Sequence, residues 1–363
     1  MSGQIYSIIN GTGSYIPQKI VHNEDFLSNT FYDKSGSIIQ SDTHEIIKKF
    51  EQITAISERR YIDDNLVTSD IASIAAEDAI KSSNTDPESL DYIIAAHNFG
   101  DVRSNNRRTD IVPSIASRVK AKLNIKNPST VAYDVIFGCP GWLQGVIQAD
   151  YFIKSGDAKK VMVIGAECLS RVSDMCDRDS MLYSDGAGAV IFEAKESQEP
   201  IGILSHAART DAVEYVKLLE MDKSYNPDEN DKELFLKMNG RKLYEYALNY
   251  VPQLVKSCIE RAKLSLQKIN KVLIHQANGK MDDAIMQRLL KLCNLDKCIT
   301  NLAKLMPMTI KEFGNNSVAT LPIMLDLILK NKLNGHEILP GDNIVFASVG
   351  AGMSINALTY KAV

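Results

Sequence analysis

Short apolar runs alternate with longer amphipathic segments through most of the chain. Residues 5–9, 92–96, 131–137, 161–165, 188–192, 272–274 and 344–349 read as strands. Between them, residues 69–82, 111–123, 143–154, 244–262 and 318–330 carry helical spacing. Apolar strands separated by helix-length segments predict an α/β architecture with buried sheets. Two stretches interrupt the alternation. Residues 29–51 mix turn formers with one amphipathic helix, and residues 222–233 form a charged, turn-rich loop. Both are expected to be surface insertions.

The pattern also repeats. Residues 90–100 are similar to residues 269–279, and each stretch follows a long helix and a short polar connector. After a similar interval each leads to a turn, Phe137-Gly138-Cys139 in one case and Phe313-Gly314-Asn315 in the other. Each turn opens a helix, and each helix is followed by Gly-Asp (Gly156-Asp157, Gly341-Asp342) and a strand. Order and spacing together predict a duplicated fold. Residues 193–200 are polar and aperiodic, which divides the chain into halves at 1–195 and 196–363.

Composition narrows the function classes. With 45% hydrophobic and 24% charged residues the chain is ordinary globular material, and a net charge of −4 gives no global basic signature for nucleic acid. No apolar run reaches the roughly 18 residues of a membrane span. The N-terminus lacks the basic start and apolar core of a secretory signal. Six cysteines are scattered without a CxxC pair or zinc spacing, which points to free thiols in a reducing cytoplasm.

Three residues carry candidate chemistry. Cys139 lies between Gly138 and Gly141 at a strand-to-helix turn, with Pro140 suited to a helix first turn. The start of a helix favours a thiolate, so an activated nucleophile is expected there. The bland alternative, a buried structural thiol, fits Cys168, Cys258 and Cys293 better. His275 ends the strand 272–274, where catalytic groups of α/β sheets gather, and His97 competes at nearly the same place in the first half. Asn315 alone would read as a turn or N-cap, and its pairing with Cys139 in the repeat makes it a functional candidate.

In combination these residues resemble the ketoacyl-acyl-carrier-protein synthase III family of the thiolase superfamily. The matching landmarks run from Gly11-Thr12-Gly13 through Ser57-Glu58-Arg59-Arg60, Pro113-Ser114 and Asp134 with Cys139. They continue with Ser184-Asp185-Gly186, His275-Gln276-Ala277-Asn278, Gly314-Asn315-Asn316-Ser317 and Gly350-Ala351-Gly352. The resemblance implies a duplicated, five-layer α-β-α-β-α thiolase-like fold and a homodimer. It implies an acyltransferase of lipid or polyketide type, in which Cys139 holds an acyl group. The backbone N–H groups of Cys139 and Ala351 would form the oxyanion hole. His275 and Asn315 would serve decarboxylative condensation with a malonyl thioester on acyl carrier protein. No metal or redox cofactor is implied, the substrates being phosphopantetheine thioesters of coenzyme A or the carrier. A degradative thiolase is disfavoured, because the loop 350–352 lacks the second cysteine of those enzymes.

Substrate contacts are expected at Trp142, Val112, Arg178, Asn278 and Gly240. Trp142 is either a wall of the acyl tunnel or a packed core aromatic. Val112 stands where relatives place a Phe reaching the partner's acyl pocket, and a smaller residue would admit a longer chain. In the coenzyme A clamp, Lys49 and Ile53 replace the family's Trp and Arg, which leaves Arg178 and opens the identity of the donor. Residues 280–311 carry six Lys/Arg against three Asp, a docking surface for an acidic carrier or a solvated helix face. Two alternatives stand beside the condensing enzyme. One is a relative joining the acyl group to a hydroxyl, an amine or a second ketoacyl chain; the other is a non-catalytic synthase partner subunit.

Overall fold

The computed structural model describes residues 3–229, 232–298 and 301–363. The first of two principal sheets comprises β1 (Gln4–Tyr15), β2 (Tyr92–Ala96), β3 (Val131–Val135), β4 (Lys160–Cys168) and β5 (Asp185–Ser197). Its spatial order is β1-β5-β4-β2-β3. The second comprises β6 (Gly202–Thr210), β7 (Lys271–Ile274), β8 (Asn343–Gly350) and β9 (Ser354–Lys361), in the order β6-β9-β8-β7. Strand directions correspond as well. β2 and β4 are parallel, as are β7 and β8; β1-β5-β4 and β6-β9-β8 are antiparallel throughout, and the first sheet adds β3 parallel to β2. The duplication expected from sequence is therefore present as one strand order used twice.

The helices that build the layers are α1 (Thr43–Thr54), α2 (Thr68–Ser83), α3 (Ile115–Lys122), α4 (Gly141–Ser155), α5 (Gly240–Arg261), α6 (Gly279–Leu292) and α7 (Thr320–Leu329). α2 and α3 cover the outer face of the first sheet, and α5 and α6 that of the second. α4 and α7 lie between the sheets, where Trp142, Leu143, Val146, Leu321 and Leu325 join strands of both in one core. The result is the five-layer α-β-α-β-α thiolase-like fold. β4, β8 and β9 are buried along nearly their whole length, because helices cover both faces. α7 is apolar nearly all round for the same reason.

The repeat is incomplete at one place. β3 leads into Cys139, but among the described residues no fifth strand leads into Asn315, and an isolated bridge joins Tyr183 to Asn315. Gln276 holds that segment instead. Its Oε1 accepts from the N–H groups of Thr309 (2.8 Å) and Ile310 (2.9 Å), and its Nε2 donates to Pro307 O (2.8 Å).

Some element boundaries differ from those read in the sequence. The helix expected over 111–123 begins at Ile115, because Ser114 caps it by accepting from Ser117 N–H and Pro113 disfavours helix before it. The insertion 29–51 supplies α1, capped by Asp42. The loop 222–233 is flanked by a two-stranded ribbon, Leu219–Asp222 with Phe235–Met238. Buried Asp174 anchors it, accepting from Ser224, Tyr225 N–H and the Lys237 ammonium. Residues 230 and 231 of that loop lie outside the described residues.

Candidate active site

Cys139, His275 and Asn315, though distant in sequence, line one cavity of about 400 Å³. Cys139 comes from the turn between β3 and α4, His275 from the end of β7, and Asn315 from the turn before α7. A Cβ at Gly138 (φ 63°) would lie 2.6 Å from Ala351 N, and one at Gly350 would lie 2.4 Å from Cys139 N. Only glycine at both positions lets the two loops close, and the closure sets the Cys139 and Ala351 backbones side by side.

Hydrogen bonds orient each of the three groups. Asn315 N–H donates to Leu182 O (2.9 Å), and Asn315 O accepts from Ser184 N–H (2.9 Å). The Asn315 Oδ1 accepts from Ser317 N–H (2.9 Å), which leaves its Nδ2 as the donor available to the cavity. His275 N–H donates to Ala347 O, and its Nδ1 lies 3.2 Å from the Thr320 hydroxyl. Burial pushes His275 down to about 4, so the ring is neutral at neutral pH. The Ser317 hydroxyl donates to Cys139 Sγ at 3.5 Å.

The electrostatics at Cys139 correct one expectation. Burial pushes the thiol up to about 11; the Ser317 hydroxyl opposes this and the Glu167 charge adds to it. The resting residue is a neutral thiol, despite its place at a helix start. α4 itself begins at Gly141 with Pro140 as its cap, so Cys139 stands just outside the helix. Neutral His275 provides no compensating cation.

His97 is excluded as the partner imidazole. Its Nδ1 accepts from Gly100 N–H (3.0 Å), which leaves Nε2–H to donate to Asp134 Oδ2 (2.8 Å). Asp134 also accepts from Ile115 and Ala116 N–H at the start of α3. The pair fastens α3 to the sheet, and neither residue lines the cavity. Buried Arg59 of the Ser57–Arg60 landmark is likewise structural, binding Met181 O, Val21 O and Asn23 Oδ1.

The five expected substrate contacts divide. Arg178, Asn278 and Gly240 line a second cavity of about 640 Å³, together with Lys49 and Ile53. This mouth shares Met238, Leu243, Ala277 and Met281 with the Cys139 cavity. Asn278 also caps α6 by accepting from Met281 N–H. Trp142 is not a tunnel wall: it is 2% exposed, donates Nε1–H to Val163 O and packs against Phe346. Val112 is 82% exposed and lines neither cavity. The sequence reading missed Leu219, Met221, Leu236 and Met238, the apolar ribbon residues that wall the Cys139 cavity. Their only local signal was alternation beside a charged loop. Ser317, within the Gly314–Ser317 landmark, and Asn98, just after His97, also line this cavity, though the sequence reading assigned neither a role of its own.

A thiol, a neutral imidazole and a carboxamide around one cavity of a duplicated thiolase-like fold define a condensing acyltransferase. Comparison with known proteins gives the particular family. A family model described as 3-oxoacyl-[acyl-carrier-protein (ACP)] synthase III matches residues 133–212, and its C-terminal counterpart matches residues 259–362. The β-ketoacyl-[acyl-carrier-protein] synthase III of Staphylococcus aureus (strain JH1) is 30% identical over 354 residues, 97% of this chain and 98% of that protein. The solved 3-oxoacyl-[acyl-carrier-protein] synthase III of Aquifex aeolicus VF5 superposes with a TM-score of 0.77 at 28% identity, covering 98% of this chain and 99% of that one. The corresponding Thermus thermophilus structure gives 0.78 at 27% identity, with the same coverage. The chain belongs to the β-ketoacyl-[acyl-carrier-protein] synthase III family of condensing enzymes.

Proposed function

We propose that Cys139 takes an acyl group from a phosphopantetheine thioester and that His275 and Asn315 then direct a malonyl-carrier thioester onto it. The carrying observation is the shared cavity, with the Asn315 amide turned by Ser317 N–H so that Nδ2 is its available donor. In the first step Cys139 Sγ attacks the thioester carbon, and the thiol proton ends on the departing pantetheine sulfur. The Cys139 and Ala351 N–H groups face the developing oxyanion, where one such donor is typically worth about 3 kcal/mol. In the second step the malonyl group loses CO₂. Asn315 Nδ2–H and His275, in its Nε2–H tautomer, hold the enolate oxygen. The carbanion attacks the acyl-Cys carbonyl, the C–S bond breaks to release the 3-oxoacyl thioester, and the Cys139 thiolate takes a proton from solvent. Side chains and backbone supply this chemistry, with no metal or redox cofactor.

The size of the cavity and its apolar ribbon support an acyl group longer than acetyl. The mouth opposes Lys49, Arg178 and Arg241 to Glu45, Asp179 and Glu245, and this balance supports a carrier-borne donor over a nucleotide held by its phosphates. The six cations of residues 280–311 are all exposed while Asp282 is buried, which supports carrier docking there. β3 is an open sheet edge with Val131 and Ile136 exposed, which supports a homodimer whose partner cavity receives Val112. A sedimentation mass of one chain would overturn the dimer. Six free thiols suit a reducing cytoplasm.

Intact-mass measurement with acyl-coenzyme A and acyl-carrier donors of increasing chain length tests the first step. A stable mass gain is expected, larger in yield beyond acetyl, and absent in Cys139→Ala. Acylation by acetyl donors alone would remove the chain-length reading.

A further inference from the structure

Outside the three expected groups, a chain of hydrogen bonds reaches the nucleophile from the first half. Glu167, on β4, is fully buried. One carboxylate oxygen accepts from Asn98 N–H (3.1 Å) and from Asn98 Nδ2–H (2.5 Å). The same Nδ2 donates to Ser317 Oγ at 3.2 Å, and Ser317 Oγ donates to Cys139 Sγ at 3.5 Å. Burial, opposed by His97 and Asn98, raises the Glu167 carboxyl to about 7. Above that pH the carboxylate only accepts, so the amide presents Nδ2 to Glu167. The second Nδ2 proton then occupies a Ser317 lone pair, which leaves the single hydroxyl proton of Ser317 for the sulfur.

The backbone at Ser317 points the same way. Its φ is 53°, in the left-handed region that favours glycine, and the position lies beside the reacting atom. Strain of this kind, at about 1–3 kcal/mol, persists where the surroundings impose it, and functional sites are the usual place.

We propose that Ser317 is a catalytic hydrogen-bond donor to the Cys139 sulfur, and that Asn98 and Glu167 are positioning residues that aim it. The donor stabilises the thiolate that forms when the thiol loses its proton, and again when the acyl group leaves. This deepens the reading of Cys139 as the nucleophile and rests on it. The groups facing the sulfur are Tyr183 and His275, both lining the cavity, with Glu167 behind Asn98; His97 and Asp185 in turn face Glu167.

Alkylation of Cys139 by iodoacetamide, followed by peptide mass analysis from pH 6 to 10, reads the thiolate without any turnover. In Ser317→Gly the fold is expected to be at least as stable to heat, because glycine relieves the positive φ. Alkylation is expected to slow by about three- to tenfold, with the profile displaced to higher pH, the size expected of a weak bond to a charged sulfur. Asn98→Ala, which leaves Ser317 in place but unaimed, is expected to move the profile in the same direction by less. A Ser317→Gly profile superimposable on wild type overturns the proposal, as does an unchanged Asn98→Ala profile for the positioning pair. If no donor acylates Cys139 while these shifts are seen, the acyl-transfer reading fails and the hydrogen-bond chain stands.

Discussion

Cys139 shows two local forces of unequal size. Ending a strand just before α4 places its sulfur near a helix start, a field worth about 0.3–1 kcal/mol to a negative charge. Burial lifts the thiol to about 11, a cost to the thiolate of about 3 kcal/mol at 1.36 kcal/mol per pH unit. Burial wins, so sequence position led to the cavity that Cys139 lines and misjudged the thiol's resting state. Another buried side chain carries a clearer cost. Asp282 is fully buried in α6, neither carboxylate oxygen has a partner, and burial with Asp283 nearby raises its carboxyl well above the usual range. A carboxyl whose folded value is raised favours folding only below its unfolded value near 4, and that advantage is lost as pH rises through the folded value. Asp282→Asn is therefore expected to stabilise the fold by about 1–3 kcal/mol at pH 8, with the gap closing toward pH 4. Urea unfolding at the two pH values checks it, and a variant no more stable than wild type at pH 8 removes the argument.

Among the elements, the strand order was legible because alternation and repetition are local signals. The strands expected at 92–96, 161–165, 272–274 and 344–349 lie within the observed ones, whereas Trp142, expected among the substrate contacts, packs in the core instead. The missing fifth strand of the second sheet was not legible, since nothing near residue 313 says that its partner is a side chain. Gln276 takes over that role through four hydrogen bonds to residues 307–310. Gln276→Ala leaves those groups unsatisfied and is expected to cost about 2–4 kcal/mol in urea unfolding. Because that segment carries Asn315 but not Cys139, malonyl-dependent product formation should fall more than Cys139 acylation. Equal loss of both steps would show that Gln276 does not act through Asn315.

Across the whole molecule, the same strand order used twice brings a thiol from one half against an imidazole and an amide from the other. α4 and α7, the two buried helices between the sheets, start beside Cys139 and Asn315 respectively, so the packing that fills the core also fixes the site. What the sequence concealed at this scale is long-range: the ribbon that walls the cavity and the Glu167–Asn98–Ser317 chain join residues far apart in number. The division of labour between the halves is open to one direct test. Cys139-acylated protein, freed of donor, is mixed with malonyl-carrier thioester labelled in the free carboxylate, and CO₂, enzyme mass and product are followed through a single turnover. One CO₂ is expected per acyl group lost, with a 3-oxoacyl-carrier product, and His275→Ala and Asn315→Ala should stay acylated and release little CO₂. Loss of the acyl group without CO₂ release, to water or to a hydroxyl or amine acceptor, would rule out decarboxylative condensation at this site.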